Sequence, residues 1–374
     1  MANSVILVTG GAGFVGSHLV DALVRQGRRV RVVDALVPQV HGRARRPRYL
    51  PDGVEFLRAD VRRPDTWRRA LKGVRAVFHQ AAEVGVGQSM YEVTKYVEAN
   101  TLGTARLWQE LITGKWPVQK VVVASSMSIY GEGQYRCSAH GAVYPSLRPD
   151  EQLRRRDWDM HCPRCARRVA WQRTPETKPL CPTSVYAVSK RDQEELSLSL
   201  GRAYRLPVVA LRYFNIYGPR QSLSNPYTGV AAIFSSRLRT GAAPVIFEDG
   251  AQSRDFIHVS DIVRANVLAL QRRDADYEAF NVGTGVATSV LRLAQLLGRA
   301  LKARVAPSVT GKFRAGDIRH CIADTAKIRT RLGFTPRVRF EQGLTDLVQW
   351  VERERAVDRV DRATRELAQR GLVH

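Results

Sequence analysis

Three groups of side chains in this sequence have the types and spacing that chemistry requires. Tyr186 and Lys190 stand four residues apart in TSVYAVSKRDQEELSLSL, whose pattern predicts a helix, so phenol and ammonium share one face. A cation beside a phenol favours phenolate and moves it toward the working range of a general base. Ser126 ends the apolar run QKVVVASS, where a hydroxyl at a strand terminus can join that pair. The second group is Gly10, Gly13 and Gly16 in SVILVTGGAGFVGSHLV. Missing side chains let a turn close, let backbone N–H groups approach a phosphate, and let the next helix pack on its strand. The third group is Cys137 with His140 and Cys162 with Cys165, two pairs spaced as tetrahedral zinc ligands are. Cys181 is an alternative to His140 as fourth ligand, and unpaired thiols in a mobile loop are the competing reading. A site closed by four such ligands is structural, because catalytic zinc keeps one position open.

Each group needs elements to hold it. Residues 5–8 read as a first strand and Phe14 and Val15 open an amphipathic helix, which puts the glycines in a strand-to-helix turn. The second strand, RRVRVVDAL, carries Asp34 about 20 residues past that turn, where a carboxylate accepts from both hydroxyls of an adenosine ribose. A carboxylate there repels a 2′-phosphate, favouring NAD over NADP, with nearby Arg43 and Arg45 acting against that preference. VEFLRADV gives a third strand ending at Asp60 and Val61, and VRAVFHQAA a fourth ending at Ala81 and Ala82. After a helix through 100–111 come a fifth strand ending at Ser125 and Ser126 and a sixth in LPVVALRYFN. Strands alternating with helices imply a parallel sheet covered on both faces, an α/β fold of the doubly wound Rossmann type.

The 374 residues suffice for two domains of roughly 100–200 residues each. Lys and Arg outnumber Asp and Glu by 59 to 35, a formal charge of +24 that favours anionic ligands such as nucleic acid or a diphosphate metabolite. The arginines fall in short scattered clusters without an aromatic-interleaved basic face, so nucleic acid is the weaker candidate. Five cysteines in a reducing compartment read as thiols or metal ligands. No run approaches the ~20 apolar residues of a membrane span. MANSVILVTGG has no basic leader before its apolar run, so a cytoplasmic protein is expected.

TGGAGFVG, HQAA, Asn100 in ANTLGT, ASSMSIYG, YAVSK, RYFNIYGPRQ, GAQSRDFIHVSDI and FRAGDIRHCIAD together resemble the extended short-chain dehydrogenase/reductase superfamily. Within it the chain resembles NAD-dependent nucleotide-sugar epimerases and dehydratases, and its Cys/His-bearing insertion looks closest to the bacterial dTDP-L-rhamnose 4-epimerase group. The resemblance implies an NAD domain over 1–214, continued by about 245–275, that contains an insertion at 131–182. It implies a smaller domain for a nucleoside diphosphate sugar from 215–244 and 276–350, a C-terminal helix within 351–374, and a homodimer. NAD would lie against Gly10, Gly13, Phe14, Val15, Gly16, Asp34, Asp60, Val61, Ala81, Ala82, Asn100, Ser125, Tyr186 and Lys190. Tyr186 resembles the base for a sugar hydroxyl, Lys190 its tuning group, and Ser126 the donor to the reacting oxygen. Asn215, Asn225 and Tyr227 would meet sugar or phosphate. Arg254 and Arg314 would clamp the diphosphate, and Asp317 would act at the nucleoside end.

Dehydratases of the family carry an Asp-Glu pair immediately after the small hydroxyl residue, whereas this chain has Met127 and Ser128. The implied reaction is therefore 4-epimerisation: oxidation at C4, rotation of the keto-sugar, and reduction on its other face. A 4-reductase uses the same residues. Val84 replaces the lysine usual in UDP-galactose 4-epimerases. The C-terminal helix has a thin apolar stripe at Val357, Val360 and Leu367 that could pack on the domain or on a partner, and a solvated, frayed helix is the expectation preferred. A dinucleotide-sensing, nucleic-acid-binding regulator is the reading from another class, but a sensor has no use for the Tyr186–Lys190 pair.

Overall fold

The computed structural model describes residues 4–42, 45–314, 316–354 and 357–373. Seven apolar runs pair in parallel to form its first sheet. Their spatial order is Glu278–Val282, Val208–Tyr213, Lys120–Ser126, Val74–His79, Val5–Thr9, Arg29–Asp34 and Glu55–Arg58. Val121, Val122 and Val123 are all fully buried, so side chains on both faces of the middle strand are covered. Leu19, Val20 and Leu23 of helix Phe14–Arg25 cover one face, and Trp67, Leu107 and Trp108 help to cover the other. The winding reverses between Val5–Thr9 and Val74–His79, which opens a crevice beyond the carboxyl ends of those strands. The helix expected through 100–111 begins as a π-helical turn, Val97–Leu102, and continues as Gly103–Thr113.

A second sheet runs Asn215–Tyr217, Ser253–His258, His320–Ala323, Ala170–Thr174, Gln134–Cys137 and Gly141–Val143. It corrects the expected domain limits in three places. Ser253–His258 belongs to this sheet and not to the cofactor sheet, although the next helix, Val259–Gln271, packs on the cofactor domain. Glu278–Val282, expected in the smaller domain, is an edge strand of the first sheet, where it pairs with Val208–Tyr213. The strands of the 131–182 insertion do not hang on the cofactor domain. They extend the second sheet through Ile322 beside Arg173 and Ala323 beside Thr174. A separate apolar cluster, including Phe234, Phe256, Leu293, Leu297, Leu344 and Leu347, fills the smaller domain.

The C-terminal helix, Val360–Gln369, is not a solvated appendage. Ala363 and Leu367 are buried, and Leu367 packs within 3.3 Å of where a Cβ on Gly87 would stand. The working stripe runs through Val360, Ala363 and Leu367, while Val357 lies before the helix and is exposed. Among the described residues no helix is long and apolar enough to cross a membrane.

Candidate active site

A cavity of about 1010 Å³ opens along the crevice and continues between the two sheets. Its wall brings together Gly10, Gly13, Phe14, Val15, Gly16, Asp34, Asp60, Val61, Ala81, Ala82, Ser125, Ser126, Tyr186 and Lys190. Asn215, Asn225, Tyr227, Arg254, Arg314 and Asp317 line the same cavity.

The glycine turn leaves no room for side chains. Gly10 has φ +63°, and a Cβ on it would stand 2.8 Å from the Ala81 backbone; one on Gly16 would stand 2.1 Å from the Gly10 carbonyl oxygen. Asp34, at a strand end, is held by two backbone N–H groups, Ala12 to Oδ2 (3.0 Å) and Leu36 to Oδ1 (2.8 Å). Each oxygen keeps acceptor capacity for a ribose hydroxyl. His41 approaches Asp34 to 3.7 Å, and burial lowers its pKa, against the opposing pull of that carboxylate. Arg45 is exposed and does not line the cavity; Arg43 lies outside the described residues. The bare glycine cradle and the oriented carboxylate fit NAD.

Ser184 caps helix Val185–Ala203 by accepting from the Ala187 N–H (3.1 Å), which fixes the helix start where Tyr186 meets the cavity. Tyr186 hydrogen-bonds Ser126, and Ser128 Oγ donates to Ser126 Oγ at 2.9 Å. Burial raises the Tyr186 pKa, and the Ser126 contact acts in the opposite direction. The expected lowering by Lys190 is not seen in this geometry. Lys190 Nζ instead donates to the Ala124 carbonyl (2.7 Å) and to Gln193 Oε1 (2.8 Å), and burial brings its pKa down to about 7. Behind this pair Ser125 Oγ donates to Glu194 (2.6 Å), which Arg212 grips with Nε and Nη2. Glu194 and Arg212 give no sequence signal, since their roles exist only once helix and strand are packed.

Asn100 is not on the wall. Fully buried, it accepts from the Glu83 N–H (2.8 Å) and donates to the Glu83 carbonyl (3.1 Å) and Ser189 Oγ (2.9 Å), so it pins the loop after the fourth strand. Tyr227 is likewise tied up: its hydroxyl lies 2.6 Å from the Tyr91 hydroxyl and donates to Glu366 of the C-terminal helix (2.9 Å). Asn225 Oδ1 accepts from Gln39 (3.0 Å) and the Tyr227 N–H (3.1 Å). Asn215 Oδ1 is buried on the cavity wall and has no hydrogen-bond partner among the described residues. Asp317 bridges the two arginines, Oδ1 to Arg254 (3.1 Å) and Oδ2 to Arg314 (3.0 Å). Burial pushes its pKa up, but Arg314 and Arg254 outweigh this and hold it below the usual carboxylate range. Sequence reasoning missed the wall supplied by the tail, Val360, Ala363, Thr364 and Leu367, and Arg237, which pairs with Asp361 (2.7 Å).

Cys137, His140, Cys162 and Cys165 converge, with all four ligand atoms within 4.8 Å of one another. Cys137 Sγ lies 3.6 Å from His140 Nδ1 and 3.7 Å from Cys165 Sγ, and Cys162 Sγ lies 3.4 Å from His140 Nδ1. Tetrahedral zinc, at ~2.3 Å from sulfur and ~2.0 Å from nitrogen, sets such atoms roughly 3.5–3.8 Å apart. The Ala139 N–H leads the influences that bring the Cys137 thiol down to about 6. Cys181 is exposed and outside the group, its N–H bonded to the Ile129 carbonyl (3.0 Å). Cys321 is a buried core thiol.

The profile of the NAD dependent epimerase/dehydratase family matches residues 6–149 and 168–283, and passes over the middle of the insertion. A dTDP-L-rhamnose 4-epimerase from Burkholderia thailandensis is 36% identical over 93% of this chain and 95% of its own. The UDP-glucose 4-epimerase of Thermotoga maritima, solved with UDP-glucose, superposes with a TM-score of 0.77 at 32% identity, covering 93% of this chain and 99% of that one. The Thermus thermophilus UDP-glucose 4-epimerase, solved with NAD, gives 0.73 at 30% identity over 93% and 99%. With the glycine turn, Asp34 and the Ser126–Tyr186–Lys190 group assembled on one wall, the chain belongs to the NAD-dependent epimerase/dehydratase family as an enzyme of its nucleotide-sugar epimerase branch.

Proposed function

We propose that the chain inverts C4 of a nucleoside diphosphate hexose, with NAD retained between turnovers and a dTDP-linked 6-deoxyhexose as the first substrate to try. The observation that carries 4-epimerisation is the pair Met127 and Ser128, side chains beside Ser126 that offer no carboxylate for dehydration. Val84, Val86 and Met127 line the cavity with apolar groups, which suits a sugar without a C6 hydroxyl. Similarity to the rhamnose 4-epimerase supports the same choice.

In this reading Tyr186 acts as the phenolate, a form that the positive nicotinamide of bound NAD would favour against the effect of burial, and takes the proton of the C4 hydroxyl while Ser126 orients that oxygen. Bound NAD supplies a hydride acceptor that returns what it receives, so no cofactor is consumed. Arg254 and Arg314 hold the diphosphate while the keto-sugar turns its other face inward, and Tyr186 then returns the proton. Lys190, held by the Ala124 carbonyl and Gln193, would donate to the nicotinamide ribose.

Incubating the protein with dTDP-, UDP- and GDP-hexoses without added NAD, followed by NMR, tests this. Inversion at C4 of one sugar supports the proposal, and Tyr186→Phe should lower the rate at least ~10³-fold. Reduction only when NADH is added would instead make the chain a reductase.

We further infer that Cys137, His140, Cys162 and Cys165 hold a structural zinc ion, which their tetrahedral spacing supports. A homodimer is supported by the apolar, exposed Val93, Val97, Leu102 and Val188, and a cytoplasmic location by the free thiols.

A further inference from the structure

The segment leading into Tyr186 has an anchor outside the Cys/His group. Buried Lys178 holds it, donating to the carbonyls of Tyr130 and Pro179, both at 2.9 Å. The module leans instead on the segment before strand His320–Ala323, which carries Phe313, Arg314 and Asp317, while the other arginine of the clamp, Arg254, comes from strand Ser253–His258. We propose that Arg148, inside the insertion, is the positioning residue of that clamp and transmits the rigidity of the module to the diphosphate subsite. This rests on the nucleotide-sugar reading above.

Arg148 does not line the cavity, and its side chain is 2% exposed. Its guanidinium donates to both carboxylate oxygens of Glu248 (2.9 and 2.8 Å), a fork that fixes the plane of the group. The same group donates to the Trp158 carbonyl (3.0 Å) and to the Asp317 carbonyl (3.3 Å). Asp317 is the residue whose carboxylate spans Arg254 and Arg314. Arg148 therefore holds the backbone of the one residue whose carboxylate pairs with both arginines, alongside the Ser253, Ile318 and Arg319 carbonyls that accept from Arg254 and the Phe247 ring under Arg314.

A second contact runs alongside. The Trp158 ring packs on Phe313, with centroids 6.5 Å apart, immediately before Arg314. From Trp158 the chain reaches Met160, buried and bonded through its carbonyl to the Val169 N–H (3.0 Å), and then the ligand Cys162. Closing the Cys/His group thus fixes Trp158, and through it Arg148 and Phe313. The far end of that segment is held from the insertion as well. Glu132 accepts from the N–H groups of Arg319 (2.7 Å) and His320 (2.8 Å).

Arg148→Lys keeps a charge for Glu248, but a single ammonium cannot span Glu248, Trp158 and Asp317 as the fork does. On NAD-loaded protein, the dissociation constant for dTDP and UDP should rise at least ~10-fold, KM should follow, and kcat should stay within about twofold. NAD affinity should not change. In an Arg314→Ala background the same substitution should cost less than ~3-fold, because the part it positions is gone. Trp158→Leu removes the second contact without disturbing a buried charge and should weaken dTDP binding in the same sense. Unchanged dTDP and UDP affinity in Arg148→Lys and Trp158→Leu, or an equal loss with and without Arg314, overturns the proposal. If the unaltered protein binds none of dTDP, UDP and GDP, the nucleotide-sugar reading fails and takes the proposal with it. Binding by the unaltered protein with no effect of Arg148→Lys or Trp158→Leu removes the positioning role alone.

Discussion

Burial brings the Lys190 ammonium down to about 7 and raises the Tyr186 phenol, so both groups lie nearer their neutral forms in the pocket than in water. The sign for stability follows from proton counts. Between pH 7 and 10 the unfolded chain keeps a proton on Lys190 that the folded chain has released, so the cost of burying this group falls and stability rises with pH. Below pH 7 both states hold the proton, and the whole cost of burying the cation is present. In NAD-free protein, the urea stability of the natural chain should therefore rise relative to Lys190→Met from pH 7 to 10; parallel profiles would refute the assignment. Tyr186, Lys190 and Ser126 were legible because spacing along one helix and position at one strand end are local properties. The contacts of Asn100 and Tyr227 were not, because their partners, Ser189 and Glu366, come from distant segments that only packing brings near. Nor does four-residue spacing reveal that Lys190 turns toward the Ala124 carbonyl.

Strand-to-helix alternation foretold the first sheet well, since period and length are written into each run. Its seventh strand, Glu278–Val282, was missed because it joins the sheet only by pairing at the edge with Val208–Tyr213, far back in the sequence, which no local pattern records. Two registered residue pairs join the insertion to the second sheet, too little pattern to read from either segment. The C-terminal helix was misjudged for a similar reason. Its stripe includes Ala363, which hydrophobicity alone does not single out, and the surface it covers is the loop around Gly87. Glu366 ties the helix to Tyr227, and Arg370 lies over the Tyr91 ring at 4.3 Å. Removing 357–374 should therefore open one wall of the cavity. The expected result is a KM for the nucleotide sugar raised at least ~10-fold, with NAD affinity kept, as loss of uniform binding predicts. An unchanged KM would mean that the helix only covers the outside.

Across the whole molecule the arginine excess divides into two populations. Some arginines are internal struts, such as Arg148 and Arg319 on Glu248, Arg212 on Glu194, and Arg237 on Asp361. Others, including Arg164, Arg167 and Arg168 beside the cluster, are exposed and give a protease its sites. The apolar support under them is small: Tyr135, Cys137, Val143, Met160 and Cys162 form the satellite core. The zinc inferred above would add to this cluster what a metal adds to small modules with little apolar core. Chelation should then loosen the insertion while leaving the first sheet, with its own large core, intact. Trypsin should cut the chelated protein within the insertion at least ~10-fold faster than the zinc-loaded protein, NAD binding should persist, and added zinc should restore resistance. Cys162→Ser should behave as the chelated protein does whether or not zinc is supplied. Equal cleavage rates, together with less than stoichiometric zinc by elemental analysis, would show that the four ligands close without a metal and that the satellite core suffices.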